Sequence, residues 1–495
     1  MLLLGLLSVV GELSTNAGEK PTYESILIEG VPQVRQKPDF CGEACVEMWL
    51  RKLGKGTTQD EVFNASGLDP SLGRGCYAQE LLRAVTQVGF KPCRQEEVFN
   101  IVKAERSAED LERCFRCLHN DLRGGVPSIV CMRYNATENA TEHFRLVIGY
   151  DAKSDEVVYR EPAWKSEEYG RMEREHFLKL WPLKQSKSEW TVVLIRLEAA
   201  PSKIKAPERK AGAVATAGGG ERPAQKQPTV FQNADFAQRV RSIKAKCPQE
   251  GLNFIVEQPF VIVGDCDQDT LRSYAKNVVR WSVDLLKKSY FQNDPSRILA
   301  VWLLSNPKSY ERYCMLITKS KPITPYGFYS TQHDALVMNI QTGGGTLVHE
   351  IVHPFIEANF PGCPPWFNEG LGSLYEQCEE RDGRIVGLLN WRLAGLKKAI
   401  AQNDLPDFKT LTGYSGMEFH NIAKGNNYAQ ARYLCYYLQE KGLLEGFYKD
   451  FLRRRIEDPT GYATLSDALG KRDMRKFKEE WQRFVTGLAT PQAGN

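Results

Sequence analysis

Nowhere in its 495 residues does the sequence hold an apolar run of the roughly 20 residues that a membrane-crossing helix needs. The one apolar stretch that stands out, Leu2-Leu3-Leu4-Gly5-Leu6-Leu7-Ser8-Val9-Val10, has the length of a signal-peptide core and runs into small and polar residues up to Gly18. No Lys or Arg precedes it, so a start further upstream and a buried first strand are the competing readings. An excess of one charge is missing as well: 65 Lys+Arg stand against 61 Asp+Glu, and a net +4 gives no ground for a nucleic-acid or anionic-membrane partner. Internal repeats are absent. Hydrophobic residues at 42%, aromatic residues at 10% and charged residues at 25% exclude a mostly disordered or fibrous chain, and the length predicts about two to four domains.

What is present begins with cysteine. Seven of the thirteen lie before residue 132 and six after residue 246, and the odd total leaves one unpaired if the others form disulfides. Together with a signal peptide at residues 1–18 this predicts a secreted or extracytoplasmic protein, soluble once processed. Residues 199–230, rich in Ala, Gly, Pro and Lys and without Phe, Trp or Tyr, cannot bury enough apolar surface to become ordered and read as a flexible linker. Two domains follow, residues 22–198 and 231–490. In the first, helical patterns over 43–53, 78–88 and 108–122 precede strands at 127–132, 143–150, 156–160 and 190–196, an α+β order ending in an antiparallel meander. The second opens with strands at 254–257 and 260–263, a long helix over 268–288 and strands at 298–304 and 335–340, and then turns largely helical.

The strongest motif is His349-Glu350-Ile351-Val352-His353. On a helix the two histidines lie one turn apart on one face, a separation that lets two imidazoles bind one Zn²⁺, with Glu350 beside them as a base rather than a ligand. The preceding Gly343-Gly344-Gly345-Thr346 lacks the Gly-Lys-Ser/Thr of a phosphate loop and reads as the entry to that helix, with Thr346 as its cap. A zinc site needs a third protein ligand. Ile356 and Asn359 stand where a metzincin carries Gly and His, which excludes that branch. Downstream, Pro364-Pro365-Trp366-Phe367-Asn368-Glu369-Gly370-Leu371-Gly372 offers a glutamate on a second helix. The block resembles the gluzincin metallopeptidases, in which an H-E-x-x-H helix is followed by a helix bearing an Asn-Glu or similar pair. That resemblance covers residues 300–445 and implies His349, His353 and Glu369 as zinc ligands and Glu350 as general base. It further implies an oxyanion-stabilising side chain on a later helix, Tyr428 first and Tyr414 and His420 as rivals, and a substrate peptide pairing with the strand at 335–340. The connection from His353 to Glu369 is shorter than in thermolysin-like members.

In the first domain, Gln36-Lys37-Pro38-Asp39-Phe40-Cys41-Gly42-Glu43-Ala44-Cys45 puts Cys41 at the start of a helix, where the dipole and free N–H groups favour a thiolate. A half-disulfide with Cys45 or Cys76 is the competing reading. A thiolate catalyst needs a histidine base, and the domain offers His119, His143 and His176. The whole block resembles papain-like cysteine peptidases of the bacteriocin-leader-processing, double-glycine type, whose Cys-Gly-x-Ala is followed by His-Phe-x-Val-x-x-Gly-Tyr-Asp. His143-Phe144-Arg145-Leu146-Val147-Ile148-Gly149-Tyr150-Asp151 matches that later part. By this resemblance Cys41 is the nucleophile, His143 the base and Gln36 the oxyanion donor. Where the family orients its histidine with Asp-Pro or Asn-Pro, this chain has Glu161-Pro162, and Gln36 stands one residue nearer Cys41 than usual. Cys114, Cys117 and His119 lack the company of a metal set and read as structural.

The combined expectation is an α+β chain: a papain-like cysteine-peptidase fold joined to a gluzincin-like, mainly helical zinc-peptidase domain with a small mixed sheet. It would hydrolyse peptide or protein substrates with Zn²⁺ as cofactor. A peptide-binding or inhibitory protein built on two inactive peptidase folds is the competing class, and separate sensitivity to a chelator and a thiol reagent distinguishes them. The Gly218-Gly219-Gly220 run in the linker suggests self-cleavage there.

Overall fold

The strand Glu142–Asp151 is buried from His143 through Tyr150 in the computed structural model, which describes residues 23–90, 98–103, 108–184, 189–199, 230–248, 251–422 and 424–489. An apolar run without alternation means that both faces are covered, and the helices Cys41–Lys52 and Ala108–Arg123 both pack on this strand. Contacts divide the chain into two units, Met1–Leu68 with Gly75–Gly212 and Asp69–Arg74 with Ala213–Asn495. Residues 1–18 and nearly all of the 199–230 linker, the triple glycine included, lie outside the described residues. Among the described residues no helix is long and apolar enough to cross a membrane.

The first unit carries an antiparallel sheet in the order Phe99–Lys103, Glu189–Arg196, Ser128–Arg133, Glu142–Asp151, Glu156–Arg160, Gly170–Glu173. Ile26–Leu27 adds to Glu142–Asp151, and Leu183–Lys184 adds to Glu189–Arg196. The helix Ala108–Arg123 covers one side through Leu111, Phe115, Leu118 and Leu122 packed with Val130, Val147, Val157 and Val192. Its His119 is buried and bonds the carbonyl of Glu24 at 2.9 Å, a structural role. Helix Gln59–Ser66, with a complete Thr58–Glu61 capping box, and strands Phe99–Lys103 and Gly170–Glu173 go beyond the elements read from periodicity.

The second unit holds a mixed sheet in the order Gly327–Ser330, Ala335–Asn339, Leu299–Leu304, Phe260–Gly264, Asn253–Glu257, with parallel pairing at its centre and antiparallel strands at its two edges. This corrects one expectation. Ala335–Asn339 is paired on both sides, so its backbone has no ladder left for a peptide, and the strand on the outside is Gly327–Ser330. The long helix near 268–288 is continuous but passes through a π-helical stretch, Ala275–Arg280, between Gln268–Tyr274 and Trp281–Ser289.

The remainder is helical, and close packing places its elements. The helix Gly345–Asn359 starts one residue before Thr346, with Gly344 at the cap position and no side-chain cap, so Thr346 lies inside the first turn. A Cβ on Gly345 would stand 2.0 Å from the Glu376 carbonyl oxygen, so only glycine allows that contact. The helix Pro365–Leu374 lies against Lys424–Glu440, and buried Arg432 from the latter donates to the carbonyls of Ser373 at 2.9 Å, of Leu374 at 3.4 Å and of Leu388. Ser373 and Leu374 lie in the last turn of Pro365–Leu374, so the guanidinium caps that helix end and ties it to the backbone at Leu388. Trp366 anchors the other end: it is fully buried among Phe367, Phe447 and Phe451 and donates to the Thr460 carbonyl at 2.8 Å. Replacing Trp366 with Ala removes both the packing and the bond, and chemical denaturation of the second unit is expected to show a loss of about 3–5 kcal/mol.

Candidate functional sites

In the first unit Cys41 is the first residue of its helix, as the sequence suggests, with the backbone N–H groups of Phe144, Gly42 and Cys41 itself near enough to its sulfur to lower its pKa. Those donors favour a thiolate. Burial outweighs them: it is the largest influence on the thiol and, with the nearby Glu43 carboxylate, pushes it up to about 11. The helix N-terminus is therefore insufficient on its own, and a thiolate here needs an imidazolium beside it. No disulfide joins the twelve described cysteines, so the pairing of Cys41 with Cys45 or Cys76 is not seen. Cys76 instead donates its backbone N–H to the buried Glu43 carboxylate at 2.7 Å.

His143 belongs to the residue pair that flanks the Phe144 N–H, and its Nε2 is committed to Glu161 Oε1 at 2.5 Å. Nδ1 is the ring nitrogen left to exchange a proton with a thiol. Glu161 is 2% exposed. Its Oε1 also accepts the Ala163 N–H at 3.1 Å, while Oε2 takes the guanidinium Nε of Arg145 at 2.8 Å. Burial alone would raise this carboxyl, but the bonds from His143 and the charge of Arg145 hold it below its usual range. Glutamate thus occupies the place that Asp or Asn was expected to fill. Gln36 donates its backbone N–H to Pro162 at 2.8 Å, and its side-chain oxygen is buried with no hydrogen-bond partner. Gln33, which the motif did not single out, bonds the carbonyls of Glu161 at 2.7 Å and Trp164 at 3.2 Å. Arg145 was also missed, although spacing two residues from His143 on one strand puts both side chains on one face.

In the second unit the structure brings His349, His353 and Glu369 together, with ligand-type atoms all within 4.8 Å of one another. Glu369 Oε2 lies 3.2 Å from His349 Nε2 and 3.9 Å from His353 Nε2, and it is buried without a hydrogen-bond partner. Two glycines make that position reachable. A Cβ on Gly370 would meet the Ala431 carbonyl and Cys435 Sγ at 3.0 Å, and one on Gly372 would meet the His349 ring at 3.3 Å. The helix therefore lies close to both neighbours, with Glu369 aimed between the imidazoles.

Each histidine meets a partner through its other nitrogen. His353 Nδ1 is 3.0 Å from Asn368 Oδ1 in a hydrogen bond, and His349 Nδ1 lies 3.3 Å from Glu376 Oε1 in an ion-pair contact outside hydrogen-bond geometry. Glu376 is in turn gripped by Arg392 at 2.7 and 2.9 Å and by Asn390 at 3.2 Å. Two free Nε2 atoms, an orphaned buried carboxylate oxygen and carbonyl or carboxylate oxygens facing both Nδ1 atoms form a donor set suited to Zn²⁺. Glu350 Oε2 lies 3.8 Å from His353 Nε2, next to the cluster. Of the three oxyanion candidates, Tyr428 and His420 come as a pair: the Tyr428 hydroxyl is 3.0 Å from His420 Nδ1, and His420 Nε2 is 3.8 Å from Glu369 Oε1. Tyr414 packs against the apolar core. Tyr329, on the outer strand Gly327–Ser330, stacks on His353 with centroids 6.5 Å apart. Glu376 and Arg392 carry no motif, and only their position after the Asn368-Glu369 pair could have drawn notice.

Comparison with known proteins bears on the first unit. Residues 28–188 match the Peptidase_C39 like family, a span that contains Gln36, Cys41, His143 and Glu161. Among solved structures, the peptidase domain of Streptococcus ComA, a bi-functional ABC transporter involved in a quorum-sensing pathway, aligns at 20% identity over 34% of this chain and 99% of that one, with a TM-score of 0.23. No curated protein matches the chain. The His349–Glu376 block lies outside the matched residues.

The grip on His349 is open to measurement. Glu376→Ala leaves all three donors in place but frees the imidazole, so zinc titration against a chromophoric chelator is expected to show an affinity lower by about 10–100-fold.

Proposed function

We propose that this chain hydrolyses peptide bonds at two centres, a zinc-dependent one built on His349, His353 and Glu369 and a thiol one built on Cys41, His143 and Glu161. The observation that carries the first is the convergence of two imidazole Nε2 atoms on a buried carboxylate oxygen that has no partner of its own. When bound there, Zn²⁺ supplies Lewis acidity towards the scissile carbonyl and makes water a competent nucleophile near neutral pH. Glu350 takes the proton of the attacking water and returns it to the leaving amine. The Tyr428 hydroxyl, steadied by His420, donates a hydrogen bond to the developing oxyanion. Asn368 and Glu376 keep the two imidazoles turned inwards. A peptide reaches this site most simply along the outer strand Gly327–Ser330, whose Tyr329 already stacks on His353.

At the thiol centre the family match supports a peptidase, and the catalytic residues are those that the motif resemblance implies. Cys41 passes its proton to His143 Nδ1 and attacks the carbonyl carbon, and the amine leaves with that proton as a thioester forms. Water then hydrolyses the thioester, with His143 as base, and restores the thiol. Glu161 stabilises the imidazolium through Nε2. The Gln36 side chain, near the turn at Pro162, is the oxyanion donor in this reading.

A mixed peptide library followed by mass spectrometry tests both centres in the full chain. Glu350→Gln is expected to lower the chelator-sensitive cleavages by about 10²–10⁴-fold with zinc content unchanged. Cys41→Ala is expected to abolish the cleavages that iodoacetamide blocks, leaving the chelator-sensitive ones intact. A zinc-loaded chain in which Glu350→Gln cleaves as fast as the parent would remove the zinc reading. A chain that binds peptides and cleaves none under either condition would make it a binding protein on two peptidase folds.

A further inference from the structure

Arg145 is 4% exposed and takes no part in the proton transfers of the thiol centre. Its surroundings are specific. Nε donates to Glu161 Oε2 at 2.8 Å, Nη2 donates to the Tyr134 carbonyl at 3.0 Å, and Nη1 reaches the Arg133 carbonyl at 3.4 Å. The guanidinium also lies over the rings of Tyr134 and Tyr159, with Cζ 5.5 Å from each centroid. A planar fork fixed by two carbonyls and two aromatic faces has one orientation available, and it fixes whatever carboxylate it bonds.

We propose that Arg145 is the positioning residue of the thiol centre: it holds Glu161 as a charged, fixed carboxylate, so that Oε1 is turned to His143 Nε2. The proposal rests on the Cys41–His143 reading above. Glutamate has one more rotatable bond than the aspartate or asparagine expected at this place, and without a second anchor its carboxylate could swing away from the imidazole. With Oε2 tied to Arg145 and Oε1 shared by His143 and the Ala163 N–H, that freedom is gone.

Charge works in the same direction. The groups around Glu161 are His143 and Arg145 from the strand Glu142–Asp151, Cys45 from the helix Cys41–Lys52 and Tyr159 from the strand Glu156–Arg160, and Tyr134 stands against His143 and Arg145. Arg145 is the one among them that is cationic at every working pH. Because Glu161 is held below its ordinary value in the folded chain, its carboxylate is present above that ordinary value and is lost as pH falls through the lower folded one. Removing the guanidinium leaves burial less opposed, and protonation moves to higher pH.

The experiment is the rate of Cys41 alkylation by iodoacetamide against pH in the full chain, with the modified thiol identified by peptide mapping. Arg145→Leu is expected to move the acid limb upwards by about one pH unit or more. In a Glu161→Gln background the same substitution should move nothing, because no carboxylate remains to hold. Arg145→Lys keeps a cation but not the fork, so a smaller upward movement with a lower plateau rate is expected, and it serves as the test if Arg145→Leu does not fold. An Arg145→Leu profile lowered equally at all pH values, a shift that persists without the Glu161 carboxylate, or an Arg145→Lys profile identical to the parent would overturn the proposal. The shift in a chain that cleaves no peptide would keep the positioning role and discard the peptidase reading.

Discussion

The cluster in the second unit depends on how closely the helix Pro365–Leu374 approaches its neighbours. Glu369 reaches the two imidazoles because Gly370 leaves room for the Ala431 carbonyl on one side and Gly372 leaves room for the His349 ring on the other. A Cβ at either position would force the helix or its neighbour to give by a few tenths of an ångström, and a donor set confined within 4.8 Å has little tolerance for that. The approach is then secured from both ends: Arg432 takes up the last carbonyls, and Trp366 sits in an aromatic cluster with its indole N–H bonded. Backbone proximity, carbonyl capping and apolar packing thus converge on a single carboxylate.

A second constraint is common to both units. Buried carboxylates are costly unless paired, and removing one partner from such a pair leaves an uncompensated charge. Glu161 lies between an imidazole and a guanidinium, and so does Glu376. In each case the arginine supplies charge and a rigid fork, and the carboxylate passes that rigidity to a histidine. Burial raises both carboxyls, yet both are held low, and Glu376 falls to about 2 because His349 and Arg392 outweigh burial. Such an arrangement orients a ring more firmly than a lone hydrogen bond, since the orienting group cannot itself turn.

Much of this was legible in the sequence where the signal is local. Helical spacing placed His349 and His353 on one face, the Asn368-Glu369 pair announced the second helix, and most strand and helix cores fall within a few residues of their periodicities. What stayed hidden is non-local. An alternating pattern at 335–340 cannot show whether a strand ends up inside a sheet or at its rim, because that is set by the pairing of Gly327–Ser330, another short segment. Thr346 looked like a cap by residue type, but the helix begins one residue earlier, where Gly345 alone fits against the Glu376 backbone. The Cys41 thiol could be placed at a helix start but its ionisation could not be read, because burial by distant residues outweighs the helix end. Arg145, Glu376 and Arg392 have no motif, since an orienting group is defined by what it touches in space.

The two histidine sites use the same device with the ring reversed. His143 is fixed through Nε2 by Glu161, which leaves Nδ1 free, whereas His353 and His349 face Asn368 and Glu376 through Nδ1, which leaves both Nε2 atoms free. The choice of nitrogen decides what each ring can do. A free Nδ1 lies close to the backbone of its own strand and suits proton exchange with a neighbouring side chain such as Cys41, whose thiol is influenced by the very next N–H, that of Phe144. A free Nε2 stands at the tip of the side chain, where two rings one helical turn apart can converge on a point neither backbone could reach. On the proposed function, the partner on the second nitrogen, more than the presence of histidine itself, would separate a proton carrier from a metal ligand.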